Sequence, residues 1–184
     1  MTPEAWQAAL RRQFGREQRF RLKNVGAHPL FSEFQVINSQ SRRTYRVAIR
    51  GSELGSNFCA CADFATNTLG TCKHIEFTLG RLERKPGARA AFARGWEPPF
   101  SEVYLRYGAR REVRFRPGAD APDEFKRFAA RYFDADGVLR PDAFGRFDAF
   151  VAKAVRFDPD LRCYEDALGF VAQVRDAERR SRLV

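Results

Sequence analysis

Three of the chain's four cysteines and one of its two histidines fall within residues 59–74. They are arranged as Cys59-Ala60-Cys61, then ten residues, then Cys72-Lys73-His74. Thiolate sulfur and imidazole nitrogen are ligands that Zn²⁺ favours. Two such pairs joined by a short loop can close a tetrahedron around one ion, at about 2.3 Å from sulfur and about 2.0 Å from nitrogen. When protein supplies all four positions, none is left for water or substrate, which is the pattern of a structural ion. The bland alternative is three buried thiols and a surface histidine that merely adjoin, and the scarcity of both residue types argues against it. A Cys-x-Cys pair can also do redox chemistry, but the matching Cys72 and His74 give these thiols a better use. The expectation is one structural Zn²⁺ held by Cys59, Cys61, Cys72 and His74. Cys163 lies far from the cluster, beside Tyr164 in a helical pattern, and reads as an ordinary small core residue.

Other chemistries find no support. No Gly-x-x-x-x-Gly-Lys-Ser/Thr occurs, so the chain has no P-loop and is not expected to be an ATPase by itself. Asp134-Ala135-Asp136-Gly137 suggests a calcium loop, but Leu139 stands where that loop needs Gly and Gly145 where it needs Glu. A turn rich in Asp and Gly is enough to explain it. The second histidine, His28, precedes Pro29 with no nucleophile nearby, and reads as a solvated or hydrogen-bonded loop residue. The chain is expected not to be an enzyme.

The elements that must position the ligands are legible from periodicity. Pro3 to Leu10 reads as a helix with Thr2 as N-cap and Pro3 in its first turn. Trp6, Leu10 and Phe14 follow at helical spacing, and Gly15 is the expected end. Three stretches with the two-residue period of strands come next, over residues 19–23, 32–38 and 44–50, the last two joined by the turn Asn38-Ser39-Gln40-Ser41. A loop, the first ligand pair, a helical turn over 62–67 and the second ligand pair follow. A helix then runs through Ile75, Phe77, Leu79 and Leu82 to Lys85, where Pro86-Gly87 stops it.

This order, a β-hairpin followed by Cys-x-Cys, a short loop and Cys-x-His-apolar, resembles the SWIM zinc finger over roughly residues 34–82. The resemblance implies that Cys59, Cys61, Cys72 and His74 are the zinc ligands. That family occurs in bacterial helicase-like ATPases of the switch/sucrose-non-fermenting type, in transposases and in kinase-related signalling proteins. The stretches Ser101 to Gly108 and Arg162 to Leu168 resemble the region between that finger and the motor in the bacterial remodelling enzymes. This implies the amino-terminal region of such a protein, acting with a downstream or separate ATPase motor.

Beyond the finger, residues 86–95 read as a linker helix, and two alternating stretches, Glu102–Tyr107 and Glu112–Arg116, as a second hairpin. The final third carries three helical stripes: Phe125, Phe128 and Tyr132; Phe144, Phe147 and Val151; and Leu161, Tyr164, Leu168, Val171 and Val174. These read as core. The expected fold is α+β: a zinc-anchored β-hairpin/helix unit over residues 1–85, then a small hairpin and a helical part over 86–184.

The formal net charge of +10 is unevenly placed. Residues 1–116 hold 21 basic and 10 acidic side chains, whereas residues 117–184 hold 12 and 13. A basic body is the electrostatic footprint of a polyanion partner, most often nucleic acid. Arg19, Arg21 and Lys23 on one strand, Arg46 and Arg50 on another, and Lys73 between two ligands are the candidate phosphate contacts. The alternative is the solvated outer face that any half-buried strand shows. With no base-reading element in view, binding is expected through the backbone, to DNA rather than RNA. The other partner class is an acidic protein or the motor itself. No signal peptide and no apolar run near the roughly 20 residues of a membrane span occur, so a cytoplasmic protein without membrane contact is expected.

Overall fold

A computed structural model describes residues 1–181. The chain is α+β and forms two compact units, Met1–Trp96 with Tyr107–Arg110, and Glu97–Arg106 with Arg111 onward.

The first unit opens with helix α1 (Pro3–Glu17), whose Thr2 side chain accepts from the Ala5 N–H. Gly15 does not end α1. It sits where α1 crosses helix α3 (Lys73–Leu82), and a Cβ there would lie 2.6 Å from the Lys73 carbonyl and 2.8 Å from the Glu76 Cβ. The helices touch because this residue has no side chain. The stripe predicted from Trp6, Leu10 and Phe14 stays outside, at 53, 42 and 51 % exposure. The face of α1 turned to the protein carries cations instead: Arg11 on Asp63 at 2.8 Å, Arg12 on Glu76 at 3.4 Å, and Arg16 on Glu83 at 3.1 Å. Glu76 is buried and also accepts from the Thr71 hydroxyl at 2.8 Å, so its carboxylate has one cationic partner and one hydrogen-bond donor.

Strands β1 (Arg21–Asn24), β2 (Glu33–Asn38), β3 (Arg43–Ala48) and β4 (Phe58–Cys59) form an antiparallel sheet in sequence order. Asn38 tightens the β2–β3 turn by accepting from the Gln40 and Ser41 N–H groups, and Arg42 takes the left-handed conformation at φ 56°. The register sorts the side chains. Leu22, Phe34, Val36, Tyr45, Val47 and Cys59 share one face; Arg21, Lys23, Gln35, Ile37, Thr44 and Arg46 share the other. The apolar face packs on α3, burying Phe34, Val36, Val47, Ile75, Phe77 and Leu82. Each such side chain contributes about 1.5–3 kcal/mol relative to exposure.

The loop after β3 returns through Gly55, at φ +87°, where the chain meets Tyr107. The Tyr107 N–H donates to the Gly55 carbonyl at 2.8 Å, and a Cβ on Gly55 would fall 2.0 Å from the Tyr107 oxygen. The Tyr107 ring then packs on Phe64 at 4.4 Å, in the short helix α2 (Ala62–Thr66), and on Phe58 at 6.3 Å. Helix α4 (Ala88–Arg94) completes this unit, with Phe92 set against Phe31 at 5.3 Å.

The second unit holds a three-stranded sheet in the order β6 (Glu112–Arg116), β5 (Glu102–Arg106), β7 (Arg162–Cys163). The hairpin predicted from the alternation is β5–β6. The stripe predicted from Leu161 onward begins later: Arg162–Cys163 pair in parallel with β5, and helix α7 starts at Glu165. Backbone bonds from Arg162 N–H to the Ser101 carbonyl and from Tyr164 N–H to the Val103 carbonyl outweigh local helical preference there. Helices α5 (Asp123–Ala129) and α6 (Phe147–Phe157) supply an aromatic core in which Phe150 meets Phe115, Phe128, Phe133 and Phe147 within 6.1 Å. The Asp134–Gly137 stretch is a turn, with the Asp134 carboxylate accepting from the Asp136 and Val138 N–H groups. Among the described residues no helix is long and apolar enough to cross a membrane.

Candidate metal centre

The four ligands come from three pieces of local structure. Cys59 ends β4 on the apolar face of the sheet, directly across from Val47. Cys61 is the N-cap of α2, and its sulfur accepts from the Phe64 N–H at 3.4 Å. Cys72 is the N-cap of α3, and His74 lies in that helix's first turn. The donor atoms of Cys59, Cys61, Cys72 and His74 all lie within 4.8 Å of one another, and all four residues are buried. The Cys59 Sγ and His74 Nδ1 are 3.7 Å apart. A tetrahedron with the metal–sulfur length of a zinc site has donor separations of about 3.8 Å, so the cluster is dimensioned to hold one metal ion.

The electrostatics agree with that use. Hydrogen bonds from the Cys59 and Cys72 thiols hold the Cys61 sulfur well below the ordinary thiol range, and the Phe64 N–H adds to this. The bond to Cys61 pushes the Cys59 thiol far up, with the bond to Cys72 and burial acting in the same direction. At Cys72 a bond from Cys59 favours the thiolate, but the bond to Cys61 and burial outweigh it and push the thiol up to about 12. Three sulfurs this crowded ionise together only when a multivalent cation joins them. Arg11 adds positive charge nearby. Its guanidinium pKa is raised by the hydrogen bond to Asp63 and, more weakly, by the sulfurs of Cys72 and Cys61.

The His74 ring is held between two aromatic rings, Tyr45 at 4.1 Å and Phe20 at 5.4 Å. Neither was singled out as a site residue from the sequence. The signal was available: Tyr45 shares the inward phase of β3 with Val47, and Phe20 the phase of Leu22. Thr78 donates to the His74 carbonyl at 2.8 Å, one turn on in α3.

The predicted phosphate contacts separate into two groups. Arg21, Lys23 and Arg46 share the outer sheet face, with Lys23, Gln35 and Arg46 in one cross-strand row. Arg19 is exposed two residues before Arg21, in the same phase. The Arg46 guanidinium lies over the Phe58 ring at 5.3 Å. Arg50 lies past the end of β3, only 6 % exposed, with its N–H bonded to the Asn57 side chain. The Lys73 ammonium lies over the Phe14 and Phe20 rings, at 5.8 and 6.0 Å.

His28 is bound into its loop: its Nδ1 accepts from the Leu30 and Phe31 N–H groups, and its ring packs on Trp96 at 4.5 Å. Cys163, in β7 and half-buried, has its thiol pushed up to about 11 by burial.

In comparisons with known proteins, no family model matches the chain, and neither a curated protein nor a solved structure matches it.

Proposed function

We propose that the chain is a zinc-binding, non-catalytic module that grips a nucleic-acid backbone, DNA in the first instance, with the outer face of its first sheet. Three sulfurs and one imidazole nitrogen form a soft donor set that suits Zn²⁺ and suits Mg²⁺ or Ca²⁺ poorly. The observation that carries the binding half is the placement of Arg21, Lys23 and Arg46 together on one face, opposite the face that holds Cys59 and Tyr45. The ion, by anchoring β4 to α3, would hold that sheet rigid while its far side meets phosphates. The resemblance to SWIM fingers extends the proposal: such a module would position or regulate a helicase-like ATPase motor in the cytoplasm.

A second reading, a protein–protein interaction module, has one observation in its favour, the exposed apolar stripe Trp6, Leu10 and Phe14 on α1. Two measurements separate them. Elemental analysis is expected to return one zinc per chain. Affinity for an unstructured DNA is expected to fall with salt along a log–log slope of about −0.7 per phosphate contacted, and to weaken when Arg21, Lys23 and Arg46 are changed to Glu. No binding of any DNA or RNA at low salt removes the nucleic-acid reading and leaves the stripe on α1 as the working surface.

A further inference from the structure

On the other side of β1 from Arg21 and Lys23 lies an open recess of about 470 Å³. Its floor is made by Leu22 and Pro86 over Phe34, itself only 1 % exposed, and Asn24 also lines it. Its rim is basic, made by Arg81 in the last turn of α3 and by Arg84 and Lys85 just past it. The volume falls within the range of about 300–1,000 Å³ typical of small-ligand sites. Lys85 is engaged, donating to the Pro29 carbonyl at 3.2 Å. Arg81 and Arg84 are exposed and have no ion-pair partner among the described residues. A solvated helix end would account for one cation in the last turn, since it complements the helix dipole. It does not account for three cations around a hollow floored by Leu22 and Pro86.

The position of the recess matters as much as its composition. Strand β1 is at the edge of the sheet, so its two faces meet only at a free edge. Arg21 and Lys23 lie on one side of that edge, and Leu22 with the recess on the other. A flexible polyanion can pass around this edge and touch both sets of cations. A duplex cannot, because its bases are stacked inside it and present no unpaired π-face to an apolar floor. Single-stranded recognition combines cations that track the backbone with a surface that receives an unstacked base; aromatic rings are the usual surface, and here Leu22 and Pro86 stand in that place.

From this we infer that the module prefers single-stranded nucleic acid, with one unstacked base seated on Leu22 and Pro86 and its flanking phosphates on Arg81 and Arg84. The inference rests on the nucleic-acid reading above and specifies its substrate. The strand crosses the edge of β1 from the recess to Arg21 and Lys23, so that the bound segment is a few nucleotides long.

The test uses the full zinc-loaded chain and fluorescence anisotropy with three labelled probes: oligothymidylate, a duplex of the same length, and an abasic strand of the same length. Oligothymidylate is expected to bind at least about tenfold more tightly than either of the other two, as one seated base would provide. Arg81→Ala with Arg84→Ala is expected to bring oligothymidylate down to the level of the abasic strand while leaving duplex binding within about twofold. Arg21→Ala with Lys23→Ala is expected to weaken all three probes. Both double variants change exposed side chains, and an unchanged thermal midpoint verifies that they fold. Equal binding of the three probes, or an equal loss for all three in the Arg81/Arg84 variant, overturns the single-strand inference and leaves the backbone reading standing. Failure of every probe to bind overturns both.

Discussion

Tyr45 lies stacked on His74, with ring centroids 4.1 Å apart and planes inclined by 26°. The contact joins the middle of β3 to the first turn of α3, and it fixes the plane of the imidazole whose Nδ1 stands 3.7 Å from the Cys59 sulfur. A ligand free to rotate would have to be ordered each time an ion binds. Tyr45→Ala is therefore expected to lower zinc affinity by about 10–100-fold, the range found when groups that orient a ligand are removed. Tyr45→Phe keeps the stack and is expected to stay within about twofold. Competition against a chromophoric chelator measures both. Equal affinity for the Ala variant and the wild type would dismiss the stack as incidental.

The ligands tie β4 and α2, two and five residues long, to α3, whose Ile75, Phe77, Leu79 and Leu82 are buried. Structural zinc contributes about 10–16 kcal/mol of apparent binding free energy, against a whole-domain stability of about 5–15 kcal/mol. His74→Ala or Cys59→Ser, or a strong chelator, is expected to unfold the first unit and leave the helices of the second largely intact. Circular dichroism would then show partial loss of helix signal, and amide exchange would keep its protection in α5, α6 and α7. Loss of protection in both units together would mean that one cooperative transition governs the chain.

Gly15→Ala sets two effects against each other. Alanine favours an exposed helix interior over glycine by about 1 kcal/mol. Here the added methyl would meet the Lys73 carbonyl at 2.6 Å and the Glu76 Cβ at 2.8 Å. Overpacking of a tight contact costs about 1–3 kcal/mol, and backbone cannot move aside as a flexible side-chain end can. The variant is expected to be less stable than wild type by about 1–2 kcal/mol in chemical denaturation. Gly145→Ala, where nothing lies within 4 Å of the added carbon, is the control.

The His28 imidazole accepts two backbone N–H bonds at Nδ1, and burial holds its pKa below the ordinary 6.5. The neutral ring is the one the fold uses. Its contribution is present in full above the unfolded value near 6.5 and is lost as pH falls from there through the lower folded value. His28→Ala leaves the Leu30 and Phe31 N–H groups without this acceptor, which costs about 1–2 kcal/mol at pH 8. The difference between wild type and variant is expected to shrink as pH drops below 6.5. A constant difference from pH 8 to pH 5 would exclude the imidazole as its source.

Local patterns carried the parts of this molecule that depend on nearby residues. The two ligand pairs are only ten residues apart, and the alternation in residues 19–50 is sufficient to sort Arg21, Lys23 and Arg46 from Leu22, Val36 and Tyr45. What escaped depends on distant partners. Trp6, Leu10 and Phe14 have helical spacing, but α1 is attached through Gly15 and three ion pairs, which only the position of α3 and Asp63 reveals. Gly15 read as a stop because a packing glycine and a terminating glycine look the same in one sequence. Arg50 continued the alternation of β3 on paper, yet the strand ends at Ala48 and the Asn57 side chain takes the Arg50 N–H. The β7 pairing joins residues about sixty apart, a separation at which helical periodicity gives no warning.

The aromatic ring of Tyr107 comes from far along the chain to cover Phe64, and Gly55 has no side chain so that the backbone of Tyr107 can lie against it. A fragment cut at Trp96 would keep Cys59, Cys61, Cys72 and His74 but lose this ring, uncovering Phe64 in the short helix that Cys61 caps. The stretch that delivers Tyr107 also carries β5, whose partners β6 and β7 lie further on. A stable version of the metal-binding half is therefore expected to extend through that sheet, and versions cut at Trp96 invite aggregation however much zinc is supplied.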